Sequence, residues 1–218
     1  MTPEDSETTS TERERMVERQ LRRRGITDER VLKAMETVPR ELFLPEGQRK
    51  RAYRDGAVRI GEGQTMSQPW IVACMAQLLE LDGSETVLEV GSGSGYAAAV
   101  LSLLAGEVVT IERVPRLAER ARRVLAELGY DNVEVRTGDG SLGAADRAPF
   151  GGISVTATAR GEPPPALFDQ LAPGAALVCP VERGRQELLV RFRDGEEEAV
   201  AAVRFVPLLG GLEAAEDE

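Results

Sequence analysis

The chain has 218 residues, of which 42% are hydrophobic and 29% are charged. These values are typical of one globular α/β domain with a sizeable core. No apolar run approaches the roughly 20 residues of a membrane-spanning helix, and the N-terminus has no signal-peptide pattern, so we expect a cytoplasmic protein. Cys74 and Cys179 lie far apart in the sequence and are expected to be buried free thiols.

The net charge of −10 is carried by the two ends of the chain. Residues 1–12 and 194–218 together carry −11, which leaves +1 for residues 13–193. Because acidic ends are usually solvated and mobile, we predict a disordered tail at 1–12 and an acidic tail at 210–218. The nearly neutral body lacks the basic surface that nucleic-acid binding requires.

Two helices are predicted in the N-terminal part of the chain. The first follows a charged pattern with few apolar positions over residues 12–24 and ends at Gly25. Thr27 or Asp28 can cap the second helix, which Pro39 ends. These elements predict an N-terminal helical extension.

A polar loop stands in front of an apolar helix that is predicted at residues 70–81. We predict irregular structure for residues 46–69, because glycine and proline interrupt this stretch. Ser67 is the expected N-cap residue of the helix, with Pro69 just inside it. The hydroxyl and N–H groups at such a helix start are well placed to bind a carboxylate.

The central stretch of the chain is residues 86–101, TVLEVGSGSGYAAAVL. A short apolar run leads into a loop with glycines at positions 91, 93 and 95, and small apolar residues follow. This pattern predicts a buried strand, a tight glycine turn and the start of a helix. Glycine lets a ligand approach the backbone closely, and the free N–H groups at the helix start can bind a polar group.

The spacing of these glycines indicates the kind of ligand. A dinucleotide motif is G-x-G-x-x-G, whereas Gly95 comes one residue early here. With Glu89 two places before Gly91, the pattern E-x-G-x-G-x-G resembles the first motif of S-adenosyl-L-methionine (AdoMet) methyltransferases. We therefore expect AdoMet as the cofactor.

Two further predicted strands lead to acidic residues. Residues 107–111 precede Glu112, which follows Gly91 by 21 residues, and a carboxylate there can accept both ribose hydroxyls. Residues 133–136 precede Asp139, which we expect on the adenine side. The other predicted elements are a helix at 116–128, strands at 150–156 and 175–181, a short helix at 166–171, and an antiparallel pair at 187–192 and 199–206.

Nearly the whole chain, from about Met16 to Leu209, resembles the protein-L-isoaspartate O-methyltransferases. The glycine motif is shared by many AdoMet enzymes, whereas the GQTMSQP loop at 63–69 is specific to this family. The segments that carry the resemblance are MVERQL at 16–21, VPRELF at 38–43, IGEGQTMSQP at 60–69, LEVGSGSGY at 88–96, LGYDNV at 128–133, GDG at 138–140 and VRFVPL at 203–208.

The resemblance implies methyl transfer from AdoMet to the carboxylate that an isomerised aspartate exposes in damaged proteins and peptides. The ester then collapses to a succinimide, and repeated cycles restore aspartate. The implied fold is Rossmann-like, with a mostly parallel twisted sheet, helices on both faces and antiparallel C-terminal strands. We expect a monomer with a single domain at 13–209, divided into a substrate-side region (13–80), an AdoMet-binding core (81–192) and closing strands (193–209).

The resemblance also implies the roles of individual residues. Ser67 takes the catalytic position. The expected substrate contacts are Gln64, Thr65, Ser67, Thr156 and Ala157, and we expect no metal. The expected cofactor contacts are Thr65, Glu89, Gly91, Ser92, Gly93, Gly95, Glu112, Arg113, Asp139 and Gly140.

The chemistry agrees with the absence of histidine from the chain. Methylation of an amine or a phenol usually requires the removal of a proton by a base or a metal-bound oxygen. A carboxylate with a pKa near ~4 is already an anion at neutral pH, so alignment and exclusion of water are sufficient. A hydroxyl donor such as Ser67 can orient this anion without neutralising it.

Three positions depart from the family pattern on the expected substrate side. Gly151 stands where the family commonly has an acid, the loop at 158–162 is about one residue longer and charged, and Leu209 replaces a hydroxyl that some relatives have. Two alternatives therefore stay open. One is a methyltransferase for another carboxylate, such as a normal aspartate of a dedicated peptide, and the other is an AdoMet-binding module without activity.

Overall fold

The computed structural model describes the backbone of residues 3–211 and the side chains of residues 9–211. None of the helices in this range is long and apolar enough to cross a membrane. The helices are α1 (Pro3–Met16), α2 (Glu29–Thr37), α3 (Pro69–Leu78), α4 (Tyr96–Ser102), α5 (Pro115–Glu127) and α6 (Pro165–Phe168). The strands are β1 (Val58–Gly61), β2 (Gln64–Met66), β3 (Thr86–Val90), β4 (Glu107–Glu112), β5 (Val133–Thr137), β6 (Phe150–Val155), β7 (Leu171–Arg183), β8 (Gln186–Arg193) and β9 (Glu196–Val203).

Strands β3 to β9 form one sheet in the order β5-β4-β3-β6-β7-β8-β9. The pairs among β3 to β7 are parallel, and β8 and β9 add to β7 in antiparallel fashion. Strand β3 lies inside the sheet and is apolar on both faces apart from Thr86 at its start and Glu89, as parallel strands covered by helices are. The predicted Rossmann-like fold is confirmed, together with its antiparallel C-terminal strands.

Helices cover both faces of this sheet. One hydrophobic cluster joins α2, α3, α4 and α5 to Val87 and Val108, while a second joins α6 to Leu88 and Val109 on the other face. The chain adds β4 and β5 on one side of β3 and then returns to add β6 on the other side. In open α/β sheets, ligands bind outside the carboxyl ends of the strands at such a reversal.

The N-terminal segment is helical from Pro3. Helix α1 continues through a π-helical turn and a 3₁₀ turn to Gly25, whose φ is 90°. Proline is tolerated in a first helical turn, Arg13 and Arg15 in the last turn favour the helix dipole, and Met16 is 1% exposed. Residues 3–12 belong to this helix, and the mobility expected for residues 1–12 stays a prediction. Residues 1–2 and most of the predicted acidic tail at 210–218 lie outside the described residues.

The helix starts follow the expected capping only in part. Asp28 caps α2 by accepting hydrogen bonds from the N–H groups of Arg30 at 2.8 Å and Val31 at 3.3 Å. Helix α3 begins at Pro69, so Gln68 is its N-cap residue and makes no side-chain cap bond. The prediction of Ser67 as N-cap is wrong, because Ser67 belongs to the extended link that leaves β2.

Residues 46–69, which were expected to be irregular, contain a 3₁₀ segment and a hairpin. Strands β1 and β2 pair in antiparallel fashion around Glu62 and Gly63, whose φ angles are 50° and 66°. Positive φ at both central residues is the requirement of a type I′ turn. The GQTM sequence is therefore held as a strand in front of α3.

The end of the chain returns across the carboxyl edge of the sheet. Strand β9 ends at Val203, earlier than the predicted 206. Residues 206–211, which we name the C-terminal strap, follow. Thr158 donates its N–H to the carbonyl of Val206 and accepts from the N–H of Leu208, both at 2.8 Å. This long-range pairing places the strap over the ends of β3 and β6.

Candidate active site

A cavity of about 340 Å³ lies at the carboxyl ends of β3, β4 and β6. Its wall is formed by the β2 hairpin with the link to α3, α3 itself, the glycine loop with α4, the ends of β4 and β6, Gly140 after β5, and the strap. The lining includes the predicted site residues Gln64, Thr65, Ser67, Glu89, Gly91, Ser92, Gly93, Glu112, Arg113, Gly140, Thr156 and Ala157.

The glycine loop is shaped by a close contact with Thr156. Gly91 has a φ of 98°, and a Cβ atom there would lie 2.3 Å from Thr156 Oγ1. The Thr156 hydroxyl donates to the carbonyl of Gly91 at 2.7 Å. Because a side chain at position 91 would displace Thr156, glycine is required at the point where the loop leaves β3.

Glu112 fixes the other side of this loop. Its side chain accepts hydrogen bonds from the N–H groups of Gly93 at 2.8 Å and Val114 at 2.9 Å, and the residue is 6% exposed. A carboxylate has about four acceptor positions, so two bonds leave it able to accept more. Glu112 therefore orders the backbone and still offers acceptors to a ligand in the cavity.

Glu89 lies fully buried in the cavity wall. Its Oε2 atom accepts from Thr110 Oγ1 at 2.5 Å, and Thr110 shares a 2.6 Å hydrogen bond with Ser92. Its Oε1 atom has no hydrogen-bond partner among the described residues. Burial, and to a smaller degree the charge of Glu112, raise the pKa of Glu89 to about 8, although the Thr110 bond opposes this. A buried acceptor without a partner suits a cationic ligand.

Another part of the cavity wall is formed by the link between β2 and α3. Ser67 is half-buried and lines the cavity, and its hydroxyl forms no hydrogen bond within residues 9–211. Its carbonyl accepts from Nη2 of Arg40 at 2.6 Å. The backbone of Ser67 is thus held in place while its hydroxyl is free to donate.

Comparison with known proteins gives the same assignment as the motifs. The family model "Protein-L-isoaspartate(D-aspartate) O-methyltransferase (PCMT)" matches residues 11–213. The chain belongs to this family. As a member, it is an AdoMet-dependent enzyme that methylates isoaspartyl residues, and the resemblance stated from the sequence is confirmed.

Individual relatives of the methyltransferase are similar over most of their length. The chain is 54% identical over 209 residues to protein-L-isoaspartate O-methyltransferase 2 of Anaeromyxobacter sp. (strain Fw109-5), covering 94% of this chain and 86% of that protein. It is 54% identical over 212 residues to the enzyme of the same description from Marinobacter nauticus, covering 94% and 96%.

Two solved structures have the same fold as the methyltransferase. A protein-L-isoaspartate O-methyltransferase matches with a TM-score of 0.81 at 30% identity, covering 91% of this chain and 66% of that chain. A Plasmodium falciparum protein described as a putative member of the family, in complex with S-adenosyl-L-homocysteine, matches with a TM-score of 0.76 at 26% identity, covering 90% and 98%.

The residues of the cavity fit AdoMet. Its sulfonium and ammonium groups are cations, and Glu89 offers a buried carboxyl oxygen without a partner. Its ribose needs acceptors, which Glu112 retains, and the glycine loop leaves room where side chains would block the wall. These residues would hold the cofactor, and Ser67, Thr156 and Ala157 line the same cavity.

Two predicted cofactor residues, Gly95 and Asp139, are not part of the cavity lining. Gly95 has a φ of 85°, and a Cβ atom there would lie 3.2 Å from Leu125 and 3.3 Å from Ala121. It therefore allows α4 to pack on α5. Its influence on the cofactor would pass through the loop conformation.

Asp139 follows β5 and holds the C-terminal strap. Its Oδ2 atom accepts from the N–H of Gly211 at 2.6 Å, and its Oδ1 atom accepts from Ser141 Oγ at 2.6 Å and Ser141 N at 2.9 Å. Partial burial raises its pKa, but these hydrogen bonds outweigh burial and lower the pKa overall. Asp139 thus lies beside the cavity as an ionised anchor of the strap.

The strap and Tyr96 are among the cavity residues that the sequence analysis missed as site residues. Val206, Pro207 and Leu208 line the cavity, as does Leu209, which is 46% exposed. The sequence VRFVPLL was recognised as a closing element, and its apolar residues after a strand were the available signal. Its position at the cavity depends on backbone pairing with Thr158, which no local pattern encodes.

Gly151 lies away from the substrate side, contrary to expectation. It is the second residue of β6 and therefore at the amino end of that strand, opposite the cavity. A Cβ atom there would lie 2.5 Å from both Cβ and Cγ of Glu85. The departure from the family pattern at this position is thus a matter of packing at the distant edge of the sheet.

Proposed function

We propose that the chain performs its methyl transfer with Ser67 as the residue that orients the substrate carboxylate, and with Glu89, Glu112 and the glycine loop as the cofactor contacts. The observation that carries this proposal is the free Ser67 hydroxyl on the same cavity as those groups. Gln64, Thr65, Thr156 and Ala157 complete the proposed substrate contacts. Thr65, Ser92, Arg113 and Gly140 complete the proposed cofactor contacts, with Gly95 and Asp139 acting through the loop and the strap.

The nucleophile in this mechanism is the substrate carboxylate itself. Its pKa near ~4 makes it an anion at neutral pH, so no residue has to remove a proton. When bound, AdoMet supplies an electrophilic methyl group on its sulfonium. Methyl transfer then requires one carboxylate oxygen to be aligned with that methyl group.

Ser67 is better suited to this alignment than Thr156. The Thr156 hydroxyl shares its one proton between the carbonyls of Val90 at 3.0 Å and Gly91 at 2.7 Å, so it can only accept from a ligand. The Ser67 hydroxyl can donate to the carboxylate. A neutral donor orients the anion and leaves its charge available for attack, whereas an arginine would compete with the methyl group for it.

The apolar part of the wall supports exclusion of water from the reacting atoms. Met66, Val72 and Met75 line the cavity, as does Leu208 of the strap. A site shielded from water strengthens the electrostatic contacts of the reacting groups and prevents competing reactions. We propose that Asp139 contributes by keeping the strap closed.

Three further properties stay predictions. We propose that the enzyme is a monomer, that it has no nucleic-acid partner, and that it is cytoplasmic. The near-neutral charge of residues 13–193 supports the lack of a nucleic-acid partner. Size-exclusion chromatography with light scattering would test the monomeric state.

Substitutions of Ser67 test the mechanism. Ser67→Ala should lower methyl transfer by about 10- to 1000-fold, the range for losing one positioning contact or donor, and leave AdoMet affinity almost unchanged. Ser67→Thr keeps a hydroxyl and should give an intermediate rate. Ser67→Asp should abolish transfer, because its charge would repel the substrate carboxylate. The measurements are radiolabel transfer to an isoaspartyl peptide and calorimetry with AdoMet.

Gln68→Ala is the matched control for these variants. Gln68 is the next residue of the same link, and its side chain bonds Asp55 at 2.5 Å outside the cavity. This variant should retain transfer within about threefold, because it removes no contact to the carboxylate. An active Ser67→Asp enzyme, or equal losses in Ser67→Ala and Gln68→Ala, would refute the proposed role.

A further inference from the structure

Arg40 is a fully buried arginine that lies behind the cavity wall. It is 0% exposed and does not line the cavity. It begins a 3₁₀ segment, Arg40–Phe43, that follows α2 and Pro39. The proposed mechanism assigns no role to this side chain, although it contacts two residues that line the cavity, Ser67 and Tyr96.

The Arg40 guanidinium joins three segments of the chain. Its Nη2 atom donates to the carbonyl of Ser67 at 2.6 Å, and its Nε atom donates to the carbonyl of Ala52 at 2.8 Å. Its Cζ atom lies 4.6 Å from the centre of the Tyr96 ring. Tyr96 is the first residue of α4, directly after the glycine loop, and it lines the cavity. One side chain thus connects the Ser67 link with the proposed cofactor loop.

Stability alone does not account for a buried cation at this place. No carboxylate lies within 4.0 Å of Arg40 among the described residues, and the neighbouring Glu41 accepts instead from the Tyr53 hydroxyl. The Nη1 atom of Arg40 is buried and has no hydrogen-bond partner in the same part of the chain. Burial lowers the pKa of Arg40, while Tyr96 opposes this. A buried ion with incomplete pairing commonly stabilises a fold less than an apolar residue of similar volume.

We infer that Arg40 is a positioning residue that fixes the backbone of Ser67 against Tyr96, so that a carboxylate held by Ser67 faces the cofactor bound at the glycine loop. This inference rests on the proposed function. Arg40 acts through Ser67 and does not touch the reacting atoms. Its planar fork suits the task, because it donates in two directions and stacks on a ring at once.

Arg40→Lys tests this inference. A lysine keeps the charge but is a point donor that cannot make both directed carbonyl bonds and also stack. We expect kcat/KM for an isoaspartyl peptide to fall about 10- to 100-fold, since displacements of about 1 Å have effects of this size. Affinity for S-adenosyl-L-homocysteine, measured by calorimetry, should stay within about threefold.

Arg40→Gln keeps the test decisive if the lysine variant does not fold. It removes the buried charge, retains an amide donor and should show the same loss of kcat/KM. Tyr53→Phe is the control, because it removes only the hydroxyl bond to Glu41 in the same region. The control should keep kcat/KM within about threefold even where its melting temperature falls.

A double variant distinguishes positioning from general support of the fold. If Arg40 acts through Ser67, Arg40→Lys combined with Ser67→Ala should be no slower than Ser67→Ala alone. Additive losses, or wild-type kcat/KM in both Arg40 variants, would overturn the inference. A wild-type protein that transfers no methyl group would instead refute the proposed function, so the two failures are distinguishable.

Discussion

Replacement of Glu89 by glutamine gives a prediction whose size follows from the structure. Glu89 is fully buried, and burial is the main cause that raises its pKa from 4.5 to about 8. The nearby charge of Glu112 acts in the same direction, and the hydrogen bond from Thr110 acts against it. Glutamine has nearly the same shape and stays neutral at every pH.

The sign of the effect follows from proton binding. Between pH 4.5 and about 8 the folded protein keeps a proton on Glu89 that the unfolded chain has lost. Stability therefore falls as pH rises through this window, by about 1.4 kcal/mol per pH unit. At pH 7 the accumulated loss is about 3 kcal/mol. Glu89→Gln removes this pH-dependent loss of stability. The free energy of unfolding of the variant should therefore exceed that of wild type by about 3 kcal/mol at pH 7 and be nearly equal to it near pH 4.5.

Denaturant unfolding of both proteins without cofactor, from pH 5 to pH 8, measures the difference. The other titrating groups are common to both proteins, so the change of the difference with pH isolates Glu89. If the difference in free energy of unfolding between the two proteins stays constant from pH 5 to pH 8, Glu89 is not a neutral buried carboxyl.

The same substitution should have the opposite effect on the cofactor. Ionised Glu89 attracts a cation, so wild-type affinity for AdoMet should rise from pH 6 to pH 8, and binding should release a proton. Affinity of Glu89→Gln should be lower at pH 8 and independent of pH across this range. S-adenosyl-L-homocysteine, which lacks the sulfonium charge, should show a weaker pH dependence in wild type. Calorimetry of AdoMet binding in two buffers of different ionisation enthalpy gives the number of protons released on binding.

Two more substitutions and two truncations test the proposed cofactor contacts and the ends of the chain. Glu112→Gln should weaken AdoMet binding about tenfold to a hundredfold, which is the range for a charge-assisted hydrogen bond. Unchanged affinity in calorimetry would refute the proposed contact between Glu112 and the cofactor. Asp139→Ala should also weaken binding, because it releases the N–H of Gly211 and loosens the strap, with folding preserved in thermal melts. Deletion of residues 1–12 should leave melting temperature and turnover nearly unchanged, since residues 9–15 are exposed or half-buried, whereas a cut before Val203 should damage both. If the N-terminal deletion is the harmful one, the proposed boundaries are wrong.

The sequence was most informative where one residue type or short pattern determines local structure. The glycines of the loop, the apolar strand before them and the acidic end of β4 predicted residues that line the cavity. Gly91 illustrates why: its positive φ and the contact with Thr156 tolerate no side chain. Asp28 likewise caps α2 through a bond to a residue two positions away.

The sequence was least informative where distant segments meet. Ser67 was predicted to be an N-cap, but pairing of β2 with β1 extends the chain so that Gln68 takes that position. Arg40 meets Ser67 across 27 residues, and no spacing rule predicts that contact. The strap reaches the cavity through pairing with Thr158, which depends on the completed sheet. These contacts form through tertiary structure, so local patterns could not reveal them.

The most direct test of the account is methyl transfer with matched peptides. Purified protein is incubated with labelled AdoMet and with two peptides of one sequence, which differ only in an isoaspartyl or a normal aspartyl residue. The account predicts transfer to the isoaspartyl peptide and no transfer to the aspartyl peptide. Transfer to the aspartyl peptide, or AdoMet binding without transfer to either, would contradict it.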